Sequence, residues 1–266
     1  MEIDAVSQLI RNVAAEVVLP RWQSLEPHQI SQKERGDMVT AADHEAEALL
    51  EDGLRALMPG AEVLGEEAAA ANPAVLEHLH TAEHLWIIDP VDGTNNFIKG
   101  RETFAVMVAL LTAGQAVASW IYLPVRDCMA VAEYGSGAQL DGRHLRPADR
   151  PVKSVGDMVA AAHITRFPDD IRPRLKSNAA RFKANRPAFC AGWDYLALAE
   201  GRRDLLLYYR TLAWDHAPGS LLIGEAGGYC RTLDGGLYDP AQNARGLMSA
   251  TCADTWRQGY AALFGG

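Results

Sequence analysis

The sequence predicts a mixed α/β (α+β) fold, and three observations carry that expectation. Residues 3–23 place Ile3, Val6, Leu9, Ile10, Val13, Val17 and Val18 at the spacing of one apolar helix face. Residues 104–134 read as successive apolar strands separated by short glycine turns, the pattern of an antiparallel meander. From Arg150 onward, strand-like and helix-like segments alternate. The first half, 1–149, is expected to be helices packed on a largely antiparallel sheet. The second half, 150–266, is expected to be an α/β half joined to it as one compact unit; 266 residues suffice for one large domain or two intimate ones.

The elements follow in order. Pro20 marks a kink or stop for the first helix. Glu26 to Asp37 is polar and reads as a loop. Thr40 is the expected N-cap of a helix running to about Met58, with Asp43 at its third position, and Pro59-Gly60 ends it. Glu62–Leu64 is a short strand. Ala68–Leu79 is expected to be helical with an interruption at Pro73, and Trp86–Ile88 is expected to be the central strand. Phe104–Leu111 is apolar throughout, like a strand buried on both faces. Ala116–Leu123 and Cys128–Tyr134 continue the meander. Met158–His163 is a strand, residues 168–185 an exposed helix, Tyr195–Ala199 a helix, Leu205–Tyr209 a strand, and Ser220–Glu225 a helix ended by Gly227-Gly228.

Composition limits the function. The chain is 48% hydrophobic and 22% charged, as a globular protein is, and its net charge of −9 argues against broad nucleic-acid binding. No apolar run is long enough to span a membrane, and Glu2 and Asp4 precede any apolar stretch, which argues against a signal peptide and for a cytoplasmic protein. Cys128, Cys190, Cys230 and Cys252 are scattered, with no zinc-type pair, and read as buried reduced thiols. Residues 166–186 hold seven Arg or Lys against two Asp; a solvated face is the first reading and a partner surface the second.

The chemistry concentrates in Trp86-Ile87-Ile88-Asp89-Pro90-Val91-Asp92-Gly93-Thr94-Asn95-Asn96-Phe97. A buried strand here delivers Asp89 and Asp92 to its C-terminal edge as oxygen ligands for hard cations. A helix opening at Thr94 would aim backbone N–H groups at an anion. Metal and anion together point to phosphate chemistry, and acidic side chains around a phosphate require cations on charge grounds. An EF-hand is excluded, because its alternating acids and twelfth-position Glu are missing.

This run resembles the Asp-Pro-x-Asp-Gly-Thr signature of the inositol monophosphatase family, related to fructose-1,6-bisphosphatases and bisphosphate nucleotidases. Asp37-Met38-Val39-Thr40-Ala41-Ala42-Asp43, Leu64-Gly65-Glu66-Glu67 and Trp214-Asp215-His216-Ala217-Pro218-Gly219 followed by Glu225-Ala226-Gly227-Gly228 resemble its other motifs, in the right order. The resemblance implies a layered α-β-α-β-α sandwich and a magnesium-dependent phosphatase with two or three Mg2+ ions. It implies that Glu66, Asp89, the Val91 carbonyl, Asp92 and Asp215 bind metal, with Glu67 supporting the site or a weaker third ion. All are oxygen donors, which suits magnesium better than zinc. Thr94 and Asp43 resemble the pair that orients the attacking water, and Glu66 belongs with them among the catalytic groups. Backbone N–H groups of Gly93 and Thr94 would bind phosphate. Asp215 also reads as a helix cap, Asp37 as a turn residue and His216 as a structural or substrate-edge group.

The substrate side departs from the family. The acidic residue that contacts substrate hydroxyls there falls, counting back from Asp215, at Tyr208 here, with Arg210 nearby as an anion contact. Asp194 is a candidate for reading substrate hydroxyls or an amine. The implied substrate is a small phosphorylated metabolite. Inositol 1-phosphate comes first, histidinol phosphate second, and a bisphosphate nucleotide or sugar bisphosphate after them. Lithium sensitivity and homodimerisation are further family expectations. The alternative from another class is a non-catalytic partner-binding protein on the same fold.

Overall fold

A computed structural model describes residues 2–34, 37–242 and 245–265, without the side chains of Glu34 and Asp37. The sequence expectation for Asp37 therefore concerns a side chain outside the described residues.

The first helix, α1 (Ile3–Val13), runs through one wider π-helical turn into α2 (Leu19–Arg21). Val6, Ile10, Val13, Val17 and Val18 are buried along it, as the spacing requires. The supposed loop after it is instead a hairpin of β1 (Ile30–Glu34) and β2 (Asp37–Thr40). Then come α3 (Ala41–Leu57), β3 (Glu62–Gly65), α4 (Glu66–Ala71), α5 (His78–Thr81), β4 (His84–Asp92) and α6 (Thr94–Ile98). The meander follows as β5 (Ala105–Thr112), β6 (Gln115–Leu123), β7 (Cys128–Glu133), β8 (Gly137–Leu140) and β9 (Arg143–His144). The second half contributes β10 (Val159–Ala162), α7 (Arg172–Ala179), β11 (Ala184–Asn185), α8 (Ala191–Ala199), β12 (Leu205–Tyr208), α9 (Ala213–Glu225), β13 (Tyr229–Thr232), β14 (Leu247–Ala250) and α10 (Ala253–Phe264).

Strands β3 to β9 form a seven-stranded sheet in sequence order, antiparallel except where β3 pairs with β4. Strand β4 is second from the edge, not central as expected, and that position leaves its C-terminal end next to the β3–α4 turn. The other sheet runs β11-β10-β12-β14-β13 and is mixed, with β10 parallel to both neighbours. The layers are α1 and α3, the larger sheet, α8 and α9, the smaller sheet, and then α7 and α10. This is the α-β-α-β-α sandwich. The middle helices bury both faces: Tyr195, Leu196, Leu222 and Ile223 pack with Met107 and Ile121 of one sheet and Leu206 of the other. The basic stretch holds a helix of only eight residues, whose Leu175 and Ala179 are buried. No helix among the described residues is long and apolar enough to cross a membrane.

Candidate active site

The site begins where β4 stops being regular. Asp89 pairs with Met107 and Asp92 with Ala105, and the register slips between them. Pro90 has no N–H to give the ladder, so the strand is released there. Gly93 then takes a left-handed turn at φ 87°. A Cβ at that position would stand 3.0 Å from both Cys190 Cβ and the Thr103 carbonyl, so glycine suits the turn twice over. Helix α6 starts directly after it with Thr94.

Three other element starts face this turn. The parallel pairing of β3 with β4 sets Gly65 beside Ile88, which brings Glu66 and Glu67 at the head of α4 to the same edge. Helix α3 begins with a reciprocal cap. Thr40 donates to Asp43 Oδ2 from its N–H (2.9 Å) and its hydroxyl (2.5 Å), while the Ala42 N–H donates to Thr40 Oγ1 (3.2 Å). With Oδ2 so occupied, Asp43 offers Oδ1 to the Thr94 hydroxyl at 3.2 Å; that hydroxyl is also 3.0 Å from the Val91 carbonyl. Helix α9 brings Asp215 in its first turn. The N-cap position itself belongs to Leu212, so Asp215 is not the capping residue.

Glu66, Asp89, Val91, Asp92, Gly93, Thr94 and Asp215 line one cavity of about 530 Å3, together with Tyr208 and Arg210. Asp43 and Glu67 stand just behind its wall and are buried.

The electrostatics are those of an acidic cluster short of positive charge. Burial raises the Asp89 carboxyl well above the usual carboxylate range, and the charges of Glu66, Asp92, Asp215 and Asp43 add to it. One Asp89 oxygen, Oδ1, is buried with no hydrogen-bond partner. Burial also raises Asp92, against the bonds it accepts from the Cys190 thiol (2.9 Å) and the Gly192 N–H (2.7 Å). Asp43 is pushed up to about 7 by burial, against the two Thr40 bonds. The ammonium of Lys33, on β1, reaches the cluster and donates to Glu66 Oε1 (2.8 Å) and Glu67 Oε1 (2.7 Å). Burial alone would lower Lys33, but those two carboxylates outweigh it and raise the group. A cation is therefore at home here, and the all-oxygen donor set fits a hard divalent ion. Among the described residues, no three His, Cys, Asp or Glu side chains are grouped so as to hold a metal ion; the Val91 carbonyl and waters, which magnesium retains, would have to supply the remaining ligands.

Asp194 is not where its expected role requires. It is fully buried in α8 and absent from the cavity wall. Its Oδ2 accepts from His163 Nε2 (2.8 Å) and the Ala188 N–H (3.0 Å), and Arg203 Nε lies 3.6 Å from Oδ1. It reaches the cavity only through His163, which does line it. His216 is buried and uncharged, driven down to about 3 by burial. Its Nε2 donates to the Arg210 carbonyl and its Nδ1 accepts from the Tyr195 hydroxyl, both at 3.0 Å.

Several contributors had no motif to announce them. Lys33 and His163 belong to separate segments that only the fold brings together, Lys33 to Glu66 and Glu67 and His163 to the cavity wall. Glu47 accepts from the Glu67 and Ala68 N–H groups at 2.8 Å each, and so holds the head of α4. Its signal was present: Asp43 and Glu47 are four apart beside the apolar stripe Ala42, Ala46, Leu50, Leu54. Phe189 lines the cavity with φ 57°, a conformation that costs a residue with a side chain roughly 1–2 kcal/mol.

The sequence model of the inositol monophosphatase family matches residues 2–264. The chain belongs to the inositol monophosphatase family. An inositol-1-monophosphatase of Mesorhizobium japonicum is 37% identical over 211 residues, covering 78% of this chain and 77% of the relative. The Nus factor SuhB of Salmonella typhimurium is 32% identical over 229 residues, covering 84% and 82%. Among solved structures, the extragenic suppressor protein suhB of Bartonella henselae superposes with a TM-score of 0.83 at 28% identity, covering 98% of this chain and 99% of that one. Inositol monophosphatases are metal-dependent phosphatases of small phosphorylated substrates, and the relatives' names span both an enzyme and a Nus factor.

Proposed function

We propose that this chain is a magnesium-dependent phosphatase that hydrolyses a small phosphate monoester by direct attack of water. The observation that carries the reading is the convergence of Glu66, Asp89, Asp92 and Asp215 on one cavity beside the Thr94–Asp43 pair. Two or three Mg2+ ions, held by Glu66, Asp89, the Val91 carbonyl, Asp92 and Asp215 with Glu67 in support, would acidify water and balance charge on the phosphoryl oxygens.

The chain's own residues do the positioning. Thr40 holds Asp43 by one oxygen, so the other faces Thr94. The Thr94 hydroxyl spends its proton on Asp43, which leaves its lone pairs to accept from the attacking water. That water is thereby aimed at phosphorus. The water oxygen bonds to phosphorus as the bond to the leaving alcohol oxygen breaks, and that oxygen takes up the proton the attacking water gives up. Gly93 and Thr94 N–H groups bind the phosphate. Tyr208 and Arg210 meet the leaving group. The cavity of about 530 Å3 suits a small ester.

Within the family, inositol 1-phosphate is the first substrate to try and histidinol phosphate the second. Lithium inhibition, a homodimer and a cytoplasmic location belong to the same reading. A second reading, partner binding, is favoured by the relatives named Nus factor SuhB and by the exposed cations Arg174, Lys176, Arg181 and Lys183. Phosphate release should be measured from myo-inositol 1-phosphate, histidinol phosphate, adenosine 3′,5′-bisphosphate and fructose 1,6-bisphosphate, with magnesium or chelator. One preferred substrate, magnesium-dependent and lost in Asp89→Asn, is the expected result. Release that survives chelator and Asp89→Asn would sink the mechanism. No release from any ester would favour the partner reading.

A further inference from the structure

Among the described residues of the cavity wall, Phe189 alone is a non-glycine residue in the left-handed region. A glycine would make the same turn without strain. The ring is 56% exposed, so core packing does not offset the strain. The conformation is held from both sides. The Asn96 amide donates to the carbonyls of Ala188 (2.8 Å) and Phe189 (3.3 Å), and the Ala188 N–H donates to buried Asp194 (3.0 Å). On the other side, the Cys190 thiol donates to Asp92 (2.9 Å). The backbone is thus fixed relative to the acidic cluster, and an outlier so over-determined is a candidate for function.

The ring continues an aromatic wall. Phe189 meets His163 edge-on (5.5 Å between centroids, 83°), and His163 stacks on Tyr208 (4.5 Å, 18°). Asp194 holds the imidazole in that stack through Nε2. The Tyr208 hydroxyl is buried and without a hydrogen-bond partner. A polyol would need acceptors and donors in number from this wall, which offers ring faces and ring edges instead.

We propose that Phe189 is a specificity-determining residue, selecting phosphate monoesters whose leaving alcohol carries a flat aromatic or heteroaromatic ring over those with a saturated ring. The inference rests on the phosphatase reading above and narrows its substrate class. Phe189 packs against the flat ring.

Benzyl phosphate and cyclohexylmethyl phosphate are a matched pair: both release a primary alcohol, one with a flat ring and one without. The ratio of their kcat/KM values should be measured for the wild type, Phe189→Gly and Phe189→Tyr. The wild type is expected to favour benzyl phosphate about three- to tenfold, the usual scale of an aromatic pair. Phe189→Tyr should keep that preference and Phe189→Gly should bring the ratio near one. An unchanged ratio in Phe189→Gly, or a wild-type ratio near one, overturns the inference and leaves the phosphatase reading standing. Wild-type activity toward inositol 1-phosphate but toward neither of these two esters also overturns the inference alone; no phosphate release from these or from the metabolite esters overturns the phosphatase reading itself, and this inference with it.

Discussion

Replacing Glu47 by Gln should damage both stability and metal use, although Glu47 is not in the cavity. Its carboxyl is 6% exposed and accepts two hydrogen bonds, from the Glu67 and Ala68 N–H groups, at 2.8 Å each. It occupies the space beside Gly65, where a Cβ would fall 2.1 Å from the Glu47 carboxyl carbon. A hydrogen bond to a charged group contributes about 1.5–3 kcal/mol. Burial raises Glu47 to about 7, so near neutrality only part of the population is ionised and the lower end of that range applies. Glutamine keeps one acceptor and turns an NH2 toward the other N–H, losing one bond and stranding one donor. The expected loss is about 2 kcal/mol, which lowers the urea midpoint by roughly 1 M. Because α4 carries Glu66 and Glu67, the magnesium concentration giving half-maximal phosphate release should rise several-fold. Urea unfolding followed by tryptophan fluorescence, with a magnesium titration of activity, measures both. A variant with the wild-type midpoint and the wild-type magnesium dependence would refute this account of how α4 is held.

Three further outcomes are expected. Thr94→Val removes the hydroxyl that faces Asp43 Oδ1 and should lower kcat about 100-fold or more, while Thr94→Ser retains most of it; steady-state kinetics at saturating magnesium distinguish them. Gly219→Ala places a Cβ 2.0 Å from Tyr195 Cδ2 in the packed middle layer and should cost about 1–3 kcal/mol, read as a lowered midpoint in urea. His216 is held uncharged to about pH 3 while the unfolded chain protonates it near 6.5, so its contribution is lost as pH falls through that window. The stability difference between wild type and His216→Gln should shrink from pH 7 to pH 4. The comparison with the variant is needed because the raised carboxyls of Asp43 and Glu47 act oppositely, weakening the fold as pH rises from their unfolded values toward 7.

The legible parts of the sequence were those whose signal is local. An apolar run broken by Pro90 and Gly93 marks both the strand and the place where it releases its carboxylates. The meander was readable because glycine turns separate its strands. The hairpin strands β1 and β2 were hidden because they are short and largely polar, with no clear apolar alternation in the sequence. Helix α9 begins seven residues before the expected Ser220 start and accommodates Pro218 in its interior, which no local signal in the sequence announces. Strands β13 and β14 are four residues each and gain their identity by pairing with each other and with β12. Asp194 was misplaced for a related reason. Its burial goes with contacts to His163 and Arg203, which come from other segments, and no spacing in the chain announces that they will pack against it. Phe189 carries no sequence signal of strain at all, since φ is a property of the turn that Asn96, Asp92 and Asp194 build around it.

The most direct test of the central claim is a single-turnover hydrolysis of the preferred ester in oxygen-18 water, with acid quenching and mass spectrometry of phosphate and protein. Attack by a water held at Thr94 and Asp43 predicts one heavy oxygen in the phosphate of the first turnover and no phosphorylated protein. Unlabelled phosphate from that turnover, or a phosphoryl group left on the chain, would contradict it.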